Sequence, residues 1–396
     1  MVSRNVNSAA TVVHCLKYSK NPFNTGDLRP MALRVIRLGM SGKNMGAQAV
    51  GLGLRRLVLP LFLLVLCACG KTSDTIVSIA LHPTNRNIFY VSTNESVYKT
   101  RDGGTSWERM ATDLSSYRVL TLALDPQHPA TVYAGTMTDA VYKSPDGGQH
   151  WMPHNVGLKE HISVVNQFVF DPRASETIYT ATTVGVFRST DGGREWIERM
   201  AGMKEVHIVV AIALDPSRPH ILYAGTTGGA YRSTDGTASW QKINNGLIPA
   251  EILDASLSLG INVLVIDPHD PDTVYAGTTK GLFKTLNKGE LWTRIGLSLP
   301  DQYISALVID PTTPSVLYAG GRAGIFKSLD GGHTWRAMNR GLETLNIRTL
   351  VASPYDARTL YAGTNGSGLY RSQDGAMTWA SVKLATHTAP SPATGG

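Results

Sequence analysis

All seven tryptophans of the chain sit at the same place in a recurring local pattern: Trp107, Trp151, Trp196, Trp240, Trp292, Trp335 and Trp379. Successive ones are 44, 45, 44, 52, 43 and 44 residues apart. A unit this short cannot bury its apolar face alone, so copies must stack against one another, and such a period marks a repeat architecture. Within residues 119–151 the unit is legible. Val119 to Leu124 reads as a first strand, Asp125 and Pro126 turn the chain, Val132 to Gly135 forms a second strand and Val141 to Ser144 a third. Trp151 then opens a fourth. Four short strands in each of seven periods predict an all-β fold, a single seven-bladed β-propeller over residues 75–384.

Ahead of each Trp lies a Ser/Thr-x-Asp-Gly-Gly turn, clearest in Ser189 to Trp196 and Ser328 to Trp335. Its Asp (Asp102, Asp146, Asp191, Asp235, Asp330, Asp374, with Asn287 in the fifth copy) can accept from backbone N–H groups of its own turn. The glycines supply the positive φ that the turn needs. Thr237 and Ala376 replace the second Gly in two copies and the fifth also has Leu291 before its Trp, so these three turns are expected to be looser. The cluster Asp267, His269, Asp270 and Asp272 repeats an Asp-Pro turn found in other copies, and neither it nor the box turns have the oxygen-ligand spacing of a calcium loop. The sequence calls for no metal and no cofactor.

Net charge is +7, but residues 1–68 hold nine of the 37 Lys and Arg and one of the 30 Asp and Glu. The rest carries 28 cations against 29 anions. A near-neutral body lacks the positive field that phosphate binding needs, which excludes nucleic acid as the partner. The three cysteines, Cys15, Cys67 and Cys69, all lie at the N-terminal end, so the body has no disulfide, thiolate metal site or Cys nucleophile.

Arg55 and Arg56 precede a short apolar run ending in Leu66, Cys67, Ala68 and Cys69. The run is too short to span a bilayer, which takes about 20 apolar residues, and has the form of a secretory signal. Its last four residues resemble the bacterial lipoprotein box, which implies cleavage after Ala68 and lipidation of Cys69. A simple cleaved signal or an uncleaved anchor is the alternative. Residues 1–68 are therefore read as leader and signal peptide, with translation starting at Met45 or nearby, and 69–74 as lipidated Cys and tether. Residues 385–396, rich in Thr, Pro, Ala and Gly, are expected to be disordered. The expected location is the periplasmic side or surface of a bacterium, the outer membrane favoured over the inner because Gly70, not Asp, follows the Cys.

The Trp-containing turns resemble the Asp-box, or bacterial neuraminidase repeat. Over residues 75–384 the chain is similar to Asp-box propellers of the photosystem II assembly and stability factor type and their bacterial lipoprotein relatives. That resemblance implies a non-enzymatic chaperone or assembly scaffold that engages a protein partner, possibly a membrane protein, through the propeller face opposite the boxes. Candidate binding residues on that face are Arg118, Arg322, Arg340, Arg348, Lys280, Tyr117 and Tyr303. Sialidases and xyloglucanases carry the same boxes, so a glycoside hydrolase or glycan-binding propeller is the second reading. It needs two carboxyl groups across a cleft. Glu95, Asp139, Glu160, Glu205, Asp254 and Glu343 are the candidates, but the Arg-Ile-Pro signature of sialidases is absent and there is room for only one propeller, where xyloglucanases use two.

Overall fold

The computed structural model describes residues 75–384 except 111–113, 115–116, 159–163, 204–207 and 248–258. The leader, Cys69, the 69–74 tether, the 385–396 tail, and Glu160, Glu205 and Asp254 lie outside the described residues. Twenty-eight strands form seven four-stranded antiparallel sheets, each a simple meander from one continuous stretch of chain. The fold is a seven-bladed β-propeller. Blade one comprises β1 (Ile76–Leu81), β2 (Phe89–Thr93), β3 (Val97–Thr100) and β4 (Glu108–Arg109). Blade seven comprises β25 (Ile347–Ala352), β26 (Leu360–Thr364), β27 (Leu369–Ser372) and β28 (Ala380–Val382). Among the described residues no strand is exchanged between the two ends of the ring.

The Tyr-Ala-Gly-Thr motif of the second strands explains how blades stack. A Cβ on Gly135, Gly225, Gly277, Gly320 or Gly363 would come within 2.6–2.8 Å of Val165, Ile261, Ile304, Ile347 or Ile76, each the leading residue of the next blade's first strand. Real side chains do not pack so closely, so the missing Cβ is the socket for a β-branched residue of the neighbour. Gly363 and Ile76 make this contact across the ring closure.

A second device recurs on the outer side of the second strand. The motif tyrosine is buried, and a cation from the third strand lies over its ring, as with Lys99 on Tyr90 at 5.1 Å and Lys327 on Tyr318 at 5.0 Å. The same cation donates to a carbonyl in the next blade's box turn: Lys99 to Gly147 at 2.7 Å, Lys143 to Gly192 at 2.9 Å, Arg232 to Lys288 at 2.9 Å, Lys327 to Gly375 at 3.1 Å. Arg371 of blade seven donates to Gly103 of blade one at 3.1 Å, closing the circle. A hydrogen bond from a charged donor contributes on the order of 2 kcal/mol. The clasp therefore joins blade to blade at these five seams, including the last to the first.

Candidate functional site

The seven first strands surround the axis: β1, β5 (Val119–Leu124), β9 (Val165–Phe170), β13 (Val209–Leu214), β17 (Ile261–Ile266), β21 (Ile304–Ile309) and β25. Each pairs with its second strand through a register shift after its leading residue. A bulge leaves one residue unpaired and re-aims its side chain. Here the seven bulge residues, Val77, Leu120, Asn166, Val210, Asn262, Ser305 and Arg348, all line one axial cavity of about 470 Å³. Arg348 is the only charged residue among them.

Polar inner-strand residues also tie blades together. Asn166 donates to the Val209 carbonyl at 2.7 Å, Asn262 to the Ile304 carbonyl at 2.8 Å and Ser305 to the Ile347 carbonyl at 2.6 Å. Ser78 and Gln167 accept from the Leu122 and Ile212 amides at 3.1 Å. These bonds satisfy inner-edge groups that no further strand pairs.

The mouth of the cavity is where the candidate residues gather. Tyr303 immediately precedes β21 and lines the cavity, and the Arg322 guanidinium, from the turn after β22 (Leu317–Gly321), lies 4.2 Å from its ring centre. Arg118 occupies the place in blade two that Tyr303 holds in blade six, directly before the first strand. Its Nε is buried and has no hydrogen-bond partner. Burial lowers the Arg348 pKa, and the Arg118 charge lowers it further while Tyr303 opposes the shift. Tyr303 and Arg348 thus line the cavity, with Arg322 stacked on Tyr303 and Arg118 acting electrostatically on Arg348, and no carboxylate lines the cavity among the described residues.

Other candidates lie elsewhere. Arg340 does not line the axial cavity: it lies three residues after the outer strand of blade six, β24 (Arg336–Ala337), and its carbonyl accepts from the Trp379 amide of blade seven at 2.9 Å. Its side chain is exposed beside Leu329 and Met377. Lys280 sits in the turn between the second and third strands of blade five, its carbonyl accepting from Arg294 at 3.3 Å. Tyr117 is half-buried against Tyr142, ring centres 5.2 Å apart, and the Tyr142 hydroxyl donates to Asp139. Burial first, then Asp139 and Tyr117, push the Tyr142 pKa well up. Tyr117 and Asp139 are thereby absorbed into blade two.

The box residues are turn formers. Oδ1 of Asp102 accepts from the Thr105 and Ser106 amides at 3.0 and 2.9 Å and from the Thr100 hydroxyl at 2.8 Å. Asp146, Asp191, Asp235, Asn287, Asp330 and Asp374 take the same hydroxyl two residues back, at 2.7–2.8 Å. In two of the three turns expected to be looser, the Thr237 and Ala376 amides meet Ser233 and Ser372 at 2.9 Å, as Gly332 meets Ser328 at 2.9 Å. In the fifth turn the Glu290 amide donates to the Asn287 carbonyl at 3.2 Å, whereas the Thr105, Gln149 and Arg194 amides of the first three boxes donate to the Asp carboxylate at 2.9–3.0 Å. Strain differs as well: Thr237, Ala376 and Lys288 take φ of 74°, 72° and 61°, a region costly for residues with a Cβ. Within the Asp267 turn, Oδ1 of Asp267 accepts from the His269 and Asp270 amides, and Asp272 pairs with Arg218 at 2.9 Å and Lys288 at 3.3 Å. Among the described residues no group of three His, Cys, Asp or Glu is arranged to hold a metal ion.

The Ser106 and Thr378 hydroxyls and amides hold the Asp102 and Asp374 carboxyls at about 2, below their ordinary 3.8. A depressed folded-state pKa contributes stability above the unfolded value, and that contribution is lost as pH falls through the folded one. The thermal midpoint should therefore drop between about pH 4 and pH 2, and less steeply in Asp102→Asn with Asp374→Asn, measured by circular dichroism.

Known proteins resemble this chain in parts. A sortilin–Vps10 family model (sortilin, neurotensin receptor 3) matches residues 94–227, and the DUF6242 beta-propeller domain model matches residues 217–395. No curated protein matches the sequence. Among solved structures, the Niastella koreensis GH74 enzyme superposes with a TM-score of 0.64 at 18% identity over 78% of this chain and 54% of its own. The GH74 xyloglucanase of Xanthomonas campestris gives 0.60 at 17% over 78% and 54%. YCF48 bound to D1 peptide gives 0.56 at 18% over 76% and 94%. The likeness is one of fold. This chain spans about half the length of the two GH74 enzymes and nearly all of YCF48.

The axial bulge residues are the functional signal that strand reading passes over. Arg348 is the second residue of β25, and Asn166, Asn262 and Ser305 are polar at the same repeat position. A polar residue recurring second in an otherwise apolar buried strand is the pattern that would have found them.

Proposed function

We propose that the chain is a membrane-tethered, non-enzymatic binding scaffold that takes an acidic segment of a partner protein at the axial mouth. The observation that carries this reading is a pair of like charges: the Arg118 guanidinium, whose buried Nε lacks an acceptor, and Arg348, whose pKa is lowered by burial and by the Arg118 charge. Two neighbouring cations are stabilised by an anion placed between them. A carboxylate accepts from both, while Tyr303, stacked under Arg322, offers a flat apolar wall with a polar tip. The YCF48 structure, of the same fold and nearly the same extent, is of a propeller bound to a peptide.

The glycosidase reading draws on the GH74 likeness and needs a carboxyl pair. Of its candidates among the described residues, Asp139 is held by Tyr142, and none of Glu95, Asp139 and Glu343 lines the axial cavity. The test of the scaffold reading is titration of a fluorescein-labelled Glu-rich peptide with the full chain, followed by anisotropy. Binding should weaken about tenfold in Arg118→Ala with Arg348→Ala, the loss expected for removing about 1.4 kcal/mol of charge-assisted contact. Release of sugar from xyloglucan or sialoglycans, abolished by one carboxylate-to-amide change, would overturn it.

The tether belongs to the same proposal. Thr75, at the start of blade one, donates to Asn365 in the turn between the second and third strands of blade seven at 3.1 Å, on the face of the mouth. Residues 70–75 add at most about 21 Å of extended chain. A lipid on Cys69 would keep the mouth within reach of a bilayer, suiting a membrane-protein partner. In a bacterial host, Cys69→Ser should leave an unprocessed, larger precursor and abolish lipid labelling. Unchanged mature size and membrane retention would count against the anchor.

A further inference from the structure

The groove in which Arg340 lies differs from its counterparts around the ring. At this place each blade presents the residue between its box hydroxyl and box Asp, and the next blade presents the residue two before its Trp. In the first-to-second groove these are Arg101 and Gln149, in the fourth-to-fifth Thr234 and Glu290. Only the sixth-to-seventh groove has large apolar side chains on both sides, Leu329 at 67% exposure and Met377 at 55%. Half-buried Met338 joins them in lining a cavity of about 470 Å³.

The charges of the groove are equally one-sided. Arg336 and Arg340 are exposed and, among the described residues, neither meets a carboxylate. Arg218, between the fourth and fifth blades, instead holds Asp215 at 2.7 Å and Asp272 at 2.9 Å. The groove's lining includes Lys327 as a third cation and no acid. Lys327 is held by the Gly375 carbonyl, which leaves Arg336 and Arg340 as the exposed cations beside the apolar side chains, a combination that fits a partner bringing apolar groups and carboxylates together. β24 is the outermost strand of its sheet, so its far edge has no strand neighbour. A chain lying along such an edge is extended and alternates its side chains between two directions.

We infer that the groove between blades six and seven docks an extended segment of a partner protein in which large apolar residues alternate with carboxylates. The apolar side chains enter between Leu329, Met338 and Met377, and the carboxylates face Arg336 and Arg340. A flat anionic bilayer fits less well. The box turns on either side carry Asp330 and Asp374, whose hydrogen bonds hold them ionised, and a plane would meet both, whereas a single chain lies between them. The inference is independent of the axial mouth.

The test uses fluorescein-labelled twelve-residue peptides of alternating Leu and Glu, or of Leu and Lys, titrated with the full chain. The Leu–Glu peptide should bind and the Leu–Lys peptide should not. Arg336→Glu with Arg340→Glu, and separately Leu329→Ser with Met377→Ser, should each weaken binding at least tenfold. In the Arg118→Ala, Arg348→Ala background, which removes the axial mouth's own attraction for carboxylates, the same groove substitutions should still weaken binding at least tenfold. All four groove positions are exposed, so the variants should keep the parent's thermal midpoint, which is measured alongside. Absence of Leu–Glu binding, equal binding of both peptides, or sensitivity to the mouth pair alone would each overturn the inference. So would Leu329- and Met377-dependent sedimentation with phosphatidylglycerol vesicles in place of peptide binding.

Discussion

Gly363→Val is expected to open the ring. A Cβ at that position already falls 2.6 Å from Thr349 Cγ2 and 2.7 Å from Ile76 Cγ2, and valine would add two methyl groups beyond it. Both neighbours are β-branched and stiff at χ1, so neither can swing aside. The strands must separate instead, and the separation falls where blade seven meets blade one. That seam has no exchanged strand among the described residues and is held by side-chain packing, the Arg371 bond to Gly103, the Tyr355 hydroxyl on the His82 carbonyl and Thr75 on Asn365. Overpacking costs about 1–3 kcal/mol, and the upper end is expected because the neighbours are fixed. Where the second strand has Ser92 or Ala181 in place of Gly, the following blade begins with Val119 or Val209, while four of the five glycines face isoleucine. Gly363→Ala should lower the thermal midpoint measurably and Gly363→Val further; equal midpoints for Gly363→Val and the parent would refute this account of closure.

The ring was legible because its determinants are local and repeat. Tryptophan spacing, Asp-Pro turns and the Gly-Gly turn each constrain a few consecutive residues, and seven copies fix the number of blades. What sequence could not convey is where a linker runs once a blade is twisted. Arg340 and Tyr303 both precede a first strand in their inter-blade segments, yet Tyr303 is the final residue before β21 and reaches the axis, whereas Arg340 is still bonded to the Trp379 turn at the periphery. Distance along the chain from the strand decides between axis and rim. The inter-blade cations follow the same logic. Lys99 and Arg371 look like ordinary alternation on a strand, and only the neighbouring blade's carbonyl, supplied by tertiary structure, gives each its partner.

Reversing both mouth charges, Arg118→Glu with Arg348→Glu, should have the largest effect on binding. Neutral alanines remove attraction, but two glutamates also replace it with repulsion toward an acidic segment. The alanine pair is expected to lose about 1.4 kcal/mol and the added repulsion to at least double that, so the double reversal should cost about 2.8 kcal/mol or more, a hundredfold in affinity for a Glu-rich peptide. The bare pair is poorly placed in the folded state, since burial and the Arg118 charge both lower the Arg348 pKa. Removing either cation should therefore leave stability unchanged or raise it slightly, even as binding falls. That opposite movement separates a binding cation from a structural one. A structural cation such as Lys99, bonded to Gly147, should lose stability when replaced by methionine. Salt gives the second discriminator. Wild-type affinity should fall as ionic strength rises from about 0.05 to 0.5 M, because the Debye length shrinks several-fold over that range. The reversed variant should instead bind weakly at all salt concentrations, improving slightly as its own repulsion is screened. If the two salt dependences run in parallel, the acidic segment is held somewhere other than at Arg118 and Arg348.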